Sequence, residues 1–245
     1  MSFGWMVFAY AAFAVFAAGI IRGATGFGFS MLALVLLTFV LPPAQVVPLL
    51  LLWEIFASAG HAPFVWRQCA WKVTGLLLLG VVPLTPVGMA LLIHVPAQAM
   101  TIGVNALVLV LTLVLLSGVK PSRPLGPLGI VGVGAATGFV NGASSNGGPP
   151  VVLFMLVTLP AEAARATLIV FFLALDVLTS GFFIHSGLMS RQSLIDALVV
   201  LPFMWLGMWL GTRWFHSVDE AQFKRYVLLF LILVSVVGMG RALLR

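Results

Sequence analysis

Long apolar runs, separated by short polar or glycine-rich connections, make up most of this chain. The first half contains runs at 3–21, 27–41, 45–60, 71–95 and 98–118, and the second half contains runs at 125–140, 149–159, 163–186, 193–213 and 222–244. A helix that crosses a bilayer needs about 20 apolar residues. The last two runs of each half reach that length easily, so the pattern predicts an all-α polytopic membrane protein.

The second run of each half is short, and a glycine-rich break precedes it. The first break contains GATGFGF at 23–29, and the second contains NGASSNGGPP at 141–150, which we expect to form a polar, flexible loop. Irregular backbone is tolerated inside a membrane only where protein buries it or where it lines a watery cavity. We therefore predict a re-entrant or discontinuous helix pair at each break, with three spanning helices completing each half.

The two halves also resemble each other in sequence, in the same order of motifs. The first break is echoed by GAATGFVNG at 134–142, and WEIFASAG at 53–60 is echoed by LDVLTSG at 175–181. Such self-similarity is the signature of an internal repeat. We predict an N-terminal membrane repeat at 1–118, a short basic linker at 119–124 and a C-terminal membrane repeat at 125–245.

The orientation of the two repeats depends on how many times each half crosses the membrane. An odd number of crossings inverts the second repeat, whereas an even number, with each pair making one broken crossing, leaves the repeats parallel. Lys and Arg favour the cytoplasmic side of a membrane protein, and the odd count places more of the loop Lys and Arg residues there. We therefore predict inverted repeats, with both termini on the non-cytoplasmic side.

Composition and charge exclude a soluble protein. The chain has 245 residues, of which 62% are hydrophobic and only 7% charged, against roughly 25% charged residues in soluble domains. The net charge of +6 comes from single Lys and Arg residues in short loops, which suits topology and lipid headgroups rather than nucleic acid. The first run has no basic residue before it and no cleavage motif after it, so it is expected to be a membrane segment. The single Cys69 is expected to be a structural thiol.

The breaks carry the candidate chemistry. Discontinuous helices can point N-terminal N–H groups and positive dipole ends at an anion, glycine lets the backbone approach a ligand, and proline suits the first turn of a helix. We therefore predict a cradle for a small anion. The predicted contacts are Asn141, Ser144, Ser145, Asn146, Gly147 and Gly148 in the second break, and Thr25, Gly26 and Ser30 in the first. The alternative is that the glycines are helix-packing contacts.

Four ionisable side chains in or beside the apolar runs are further candidates, because charge at membrane depth is costly and is functional by default. Arg22 and Arg165 lie next to the breaks and could add positive charge to an anion site. Glu54 and Asp176 occupy equivalent places in the repeat and could relay protons. The alternatives are a snorkelling side chain for Arg165 and a structural ion pair for the acids.

The motifs resemble those of the TauE/SafE sulfite exporter family. The resemblance rests on GATGFGFSMLAL in the first half, and on NGASSNGGPPVVLFMLV followed by RATLIVFF in the second. It covers essentially the whole chain, although Phe27 and Phe29 beside the first glycines depart from the more glycine-rich form of many members. The resemblance implies a transporter, usually an exporter, of sulfite, organosulfonates or related small anions.

The expected function is transport of such an anion by a multi-pass protein of the plasma membrane. No phosphate-binding loop, catalytic triad or metal-ligand spacing stands out, so we expect no enzyme activity, cofactor or metal. The expected partners are the anion and the bilayer, without nucleic acid, and a homodimer is an open option. Two alternatives remain: an intramembrane enzyme and an assembly subunit without transport activity.

Overall fold

The computed structural model contains helices and no strands in the parts of the chain that it describes, which are residues 4–25, 28–60, 62–118, 125–215 and 220–244. Of these residues 88% are helical. The helices are α1 (Trp5–Thr25), α2 (Phe29–Leu37), α3 (Pro43–Ala59), α4 (Ala62–Val65), α5 (Trp71–His94), α6 (Ala97–Ser117), α7 (Pro127–Ser144), α8 (Gly148–Thr158), α9 (Ala161–His185), α10 (Arg191–Phe215) and α11 (Glu220–Leu243), with a 3-10 turn at Trp66–Gln68. The predicted all-α class is confirmed, and the helices follow the predicted apolar runs closely. The predicted linker at 119–124 lies outside the described residues.

Six helices within the described residues are long and apolar enough to cross a membrane, namely α1, α5, α6, α9, α10 and α11. A seventh candidate arises if α3 and the segment Ala62–Gln68, which meet at a bend of 52°, form one span. The first run proves longer than predicted, because α1 continues to Thr25 and can span by itself. In the second half the short helix is α8, with 11 residues.

The outer faces of these spans are apolar. Only 28% to 44% of the residues in each candidate span are buried, and large side chains such as Phe13, Leu79 and Leu233 are well exposed. Exposure of so much apolar surface on six helices is unfavourable in water, whereas the hydrocarbon of lipid tails accommodates it. The structure therefore describes a multi-pass membrane protein.

The chain forms two compact units, each built from both predicted repeats. Unit 1 comprises Met1–Leu50, Val95–Ser117 and Met189–Arg245, and unit 2 comprises Leu51–His94 and Gly118–Leu188. Unit 1 thus holds α1, α2, α6, α10 and α11, and unit 2 holds α4, α5, α7, α8 and α9, while α3 contributes to both. Packing units and sequence repeats divide the chain differently, so the repeat boundaries and the inversion stay predictions.

Glycines set the main helix contact within each unit. In unit 2, a Cβ at Gly88 would collide with the carbonyl oxygen of Phe139 on α7, and in unit 1 a Cβ at Gly207 would collide with that of Phe16 on α1. Pro83, Gly88 and Met89 match Pro202, Gly207 and Met208 in sequence at one constant offset. Gly88 and Gly207 are therefore corresponding positions of the predicted repeat. Gly23 packs equally closely on the backbone of Met208, so the helix-packing alternative is confirmed for that residue. Small residues allow this approach of helix backbones in membranes.

The core of unit 2 surrounds α8. Val151, Phe154 and Met155 on α8 are almost fully buried, against Leu77 of α5 and Phe171 of α9. The apolar side chains that follow the second break thus anchor α8 among three neighbouring helices. This anchoring fixes where the N-terminus of α8 lies within the unit.

Aromatic, basic and thiol side chains lie close together in the connection that leads into α5. Trp66 and Trp71, both half exposed, stack with their ring centroids 4.4 Å apart beside the exposed Arg67, a combination typical of the membrane–water boundary. Cys69 is buried in the same turn, with its Sγ 3.4 Å from Oγ1 of Thr74. Its expected role as a structural thiol near a helix end therefore fits its position.

Candidate functional site

The second break is shorter than the sequence pattern predicts. The polar stretch does not form a ten-residue loop, because Asn141 to Ser144 complete the last turn of α7 and α8 begins at Gly148. Ser145 ends α7 in the left-handed conformation, with φ of 56°, and its N–H donates to the carbonyl oxygen of Asn141 over 2.8 Å. Among the described residues other than glycine, Ser145 alone has a positive φ, and such a conformation marks local strain.

Asn141 links this break to the neighbouring helix α9. Its Oδ1 accepts the backbone N–H of Gly147 at 3.2 Å. Its Nδ2 donates to Oδ1 of Asp176 at 3.1 Å and lies 3.3 Å from Oγ1 of Thr179. All three side chains are almost fully buried, so one amide connects the start of α8 to a buried acid.

Two of the predicted side-chain donors are already engaged. The hydroxyl of Ser144 donates to the carbonyl oxygen of Val140 at 2.8 Å, and Nδ2 of Asn146 donates to the carbonyl oxygen of Ser144 at 2.9 Å. By contrast, Oγ of Ser145 and Oδ1 of Asn146 are buried without a hydrogen-bond partner. Buried polar atoms are rarely left unpaired, and each such atom calls for an explanation.

The N-terminus of α8 has few backbone donors. Gly147 is the N-cap, Gly148 is the first helical residue, and Pro149 and Pro150 follow it without N–H groups. A Cβ at Gly147 would lie 2.9 Å from the carbonyl oxygen of Thr137, whereas a Cβ at Gly148 would meet only Cζ of Phe172, at 3.7 Å. Gly147 therefore serves close packing, and Gly148 presents the first-turn N–H that the prolines do not supply.

Some residues of this region were missed by sequence reasoning. Thr179 on α9 contacts Asn141. In the same unit, the buried hydroxyls of Thr137 on α7 and Ser180 on α9 have no hydrogen-bond partner. The spacing could have pointed to two of them, because Thr179 and Ser180 lie one helical turn beyond Asp176 and share its face. Single hydroxyl residues are common in membrane helices, so the sequence offered no means of choosing among them.

The first break is described only in part. Gly26 and position 27 lie outside the described residues, as does the side chain of Thr25. Gly28 precedes α2 with φ of 85°, a left-handed conformation that favours glycine. Ser30 is buried in the first turn of α2, and Arg22 is half-buried in the last turn of α1, where a cation suits the helix dipole.

The remaining charged candidates lie at different depths. Glu54 is half-buried in the middle of α3, and Asp176 is buried on α9. Arg165 is exposed near the start of α9. Eleven residues separate Arg165 from Asp176 in this continuous helix, about 16 Å along its axis. That distance weighs against direct contact between Arg165 and an anion held at the second break.

Asp196 is an additional buried acid that the sequence analysis passed over. It lies near the start of α10, is 5% exposed, and accepts a hydrogen bond from Nε2 of Gln192 at 2.9 Å. Its position just inside the run 193–213 was the available signal. Within the described residues, no three His, Cys, Asp or Glu side chains lie close enough to hold a metal ion.

Unit 1 contains a cavity of about 290 Å³ at the ends of several helices. It is lined by the connection Thr38–Pro42, the start of α6 and the end of α11, including Arg241. The Arg241 guanidinium lies 5.5 Å from the ring centroid of Phe39. The described residues of the first break do not line this cavity.

Apolar spans together with a buried, uncharged, polar break between α7 and α8 characterise a multi-pass helical membrane protein. The sequence matches the family described as Sulfite exporter TauE/SafE over residues 11–238, and the chain therefore belongs to that family. A search of curated proteins and a search of solved structures gave no match. Membership implies a membrane transporter of sulfur anions, and this family is one of transporters rather than enzymes.

Proposed function

We propose that this protein exports sulfite or an organosulfonate across the plasma membrane, and that the second break binds the anion. The observation that carries the proposal is the buried hydroxyl of Ser145, which lacks a hydrogen-bond partner three residues before the first N–H of α8. A helix N-terminus favours an anion, and the hydroxyl supplies a donor without a fixed charge. A homodimer stays a prediction.

The absence of charged donors among these contacts suits a transporter. A site that held its anion with a salt bridge would release it slowly, whereas neutral donors bind more weakly and allow release. Export also has a favourable driving force. Moving one negative charge outward, down a negative-inside potential, releases about 2.3 kcal/mol per 100 mV. Electrical uniport would suffice to drive export.

Asp176 gives a route by which protons could influence this site. Its Oδ1 accepts from Asn141, whose Oδ1 in turn accepts the N–H of Gly147. A hydrogen bond to an ionised carboxylate is stronger than one between neutral groups. A proton on Asp176 would therefore loosen the contact that holds Asn141, and Asn141 holds the residue before α8. Proton coupling through Asp176 acts in this proposal on the geometry of the break, not on the anion directly.

Replacing the hydroxyl of Ser145 tests the proposed site. Hydrogen bonds to charged partners contribute about 1.5–3 kcal/mol each, so Ser145→Ala should weaken sulfite affinity by about tenfold to a hundredfold. Ser117→Ala is the matched control, because Ser117 is an exposed serine at the end of α6 that bonds only its own helix, at the carbonyl oxygen of Val114. The measurement is equilibrium binding to purified variants that retain their helical content.

The control should bind sulfite as the unaltered protein does. Equal affinity in the Ser145 and Ser117 variants would place the anion elsewhere, and the polar break would then have another role. An intramembrane enzyme or an assembly subunit would instead give no saturable binding of sulfite or sulfonates in any variant.

A further inference from the structure

We infer that the transported anion carries a hydrogen-bond donor of its own, as hydrogen sulfite does, and that Asn146 selects it by accepting that bond. This inference rests on the proposed function, and it adds the protonation state or donor group of the substrate. It starts from the polar groups of the second break, where the buried acceptor Oδ1 of Asn146 lies close in sequence to the donors of Ser145 and Gly148.

The orientation of the Asn146 amide is fixed by its neighbour. The side chain is 2% exposed, and its Nδ2 donates to the carbonyl oxygen of Ser144 at 2.9 Å. The opposite orientation would set Oδ1 of Asn146 against that carbonyl oxygen, two acceptors with no proton between them. Oδ1 is therefore the atom left over, and it has no hydrogen-bond partner.

An acceptor of this kind cannot form a hydrogen bond with a fully deprotonated anion. Every oxygen of sulfite or of a simple sulfonate is an acceptor, so its approach to Oδ1 of Asn146 would be repulsive and would leave the amide oxygen unpaired. An anion that bears one O–H or N–H group resolves this conflict. Its proton satisfies Asn146, while its charged oxygens accept from Ser145 and from the N–H of Gly148.

These three groups belong to four consecutive residues, Ser145 to Gly148, which suits a small ligand. Oγ of Ser145 and Oδ1 of Asn146 are both buried in this structure. Substrate access therefore requires the surrounding groups to move, as alternating access in transporters demands. Discrimination against a ligand that leaves a buried acceptor unpaired is a strong source of selectivity.

Two pairs of anionic probes separate the effect of a hydrogen-bond donor on the ligand from the effect of the ligand's charge. Hydrogen sulfite is compared with methanesulfonate at one mildly acidic pH, and 2-hydroxyethanesulfonate is compared with ethanesulfonate. Each pair has the same single charge, and only the first member carries an O–H group. We expect the unaltered protein to bind hydrogen sulfite about tenfold more tightly than methanesulfonate. A preference of the same sign in the second pair shows that the donor can also lie beyond the anionic head.

The variants assign that preference to a residue. Asn146→Leu should remove the preference by weakening hydrogen sulfite binding about tenfold and leaving methanesulfonate within about twofold. Ser145→Ala should weaken both members alike and keep the preference. Asn146→Ala removes the same acceptor with a smaller side chain, so it should also remove the preference, and it serves where the leucine variant does not fold.

The outcomes distinguish this inference from the function on which it rests. Binding of both probes with no preference, or a preference that Asn146→Leu leaves intact, overturns the role of Asn146 but not transport through the break. Failure of the unaltered protein to bind any of the four probes overturns the proposed function itself.

Discussion

At the second break, Asn141 connects neighbouring helices and Ser145 carries an unpaired hydroxyl. Asn141 uses both ends of its amide, one on Gly147 and one on Asp176, over 35 positions of sequence. Ser145 adopts a left-handed backbone, and its hydroxyl has no hydrogen-bond partner. The sequence predicted both residues as candidate contacts, because polar residues at a glycine-rich break are rare in an apolar chain. It could not predict that Ser144 and Nδ2 of Asn146 are engaged, since that depends on local side-chain geometry.

The two central glycines of the break should respond differently to a methyl group. In Gly147→Ala the new Cβ would press on Thr137 and Asn141, at 2.9 to 3.0 Å, so we expect a loss of about 1–3 kcal/mol in stability from overpacking. Gly148→Ala should fold normally, because its Cβ meets only Phe172 at 3.7 Å. Thermal unfolding in detergent measures both. Equal melting temperatures would show that α7 and α8 do not pack as described.

Replacing either of the two acids at equivalent places in the predicted repeat is expected to weaken proton dependence. Asp176→Asn removes the carboxylate that Asn141 contacts, so it should weaken the dependence of transport on an imposed pH gradient. Glu54→Gln removes the corresponding acid on α3 and should have the same effect. Flux into proteoliposomes with and without a pH gradient is the measurement. If both variants keep the flux and pH dependence of the unaltered protein, the acids are structural and the protein is a uniporter.

At the scale of the element, two glycines at corresponding positions of the predicted repeat make similar contacts. Gly88 on α5 meets α7, and Gly207 on α10 meets α1, each against a backbone carbonyl group. The helices themselves were predictable, because a bilayer demands apolar runs of a set length. Which helices pair was not predictable, since the units combine helices from both halves of the chain. The predicted repeat indicated which positions of the two halves correspond, but not which helix each of them packs against.

Close packing at Gly88 predicts a sharp contrast with another glycine of the same helix. Gly88→Ala should force α5 and α7 apart and cost about 1–3 kcal/mol of stability. Gly75→Ala is the control, because no atom lies within 4 Å of a Cβ at Gly75, and alanine favours a helix there. Gly207→Ala should behave as Gly88→Ala does. Thermal unfolding of the purified variants decides, and an unchanged melting temperature for Gly88→Ala would contradict the described contact.

At the scale of the whole molecule, the family match and the apolar spans agree on a membrane transporter of sulfur anions. The sequence predicted a membrane protein because so apolar a chain can fold only in lipid, whereas transport of sulfur anions was what the resemblance of its motifs to the family implied. The inverted arrangement of the repeats and the direction of transport stay predictions.

The most direct test of the account is flux of radiolabelled sulfite into liposomes that contain only the purified chain. We predict saturable flux above that of protein-free liposomes. An imposed membrane potential should drive the anion towards the electrically positive side of the membrane. Ser145→Ala should reduce this flux at low sulfite concentration, and Ser117→Ala should not. Flux no greater than in protein-free liposomes, from protein whose helical content is intact, would contradict transport of sulfite by this chain.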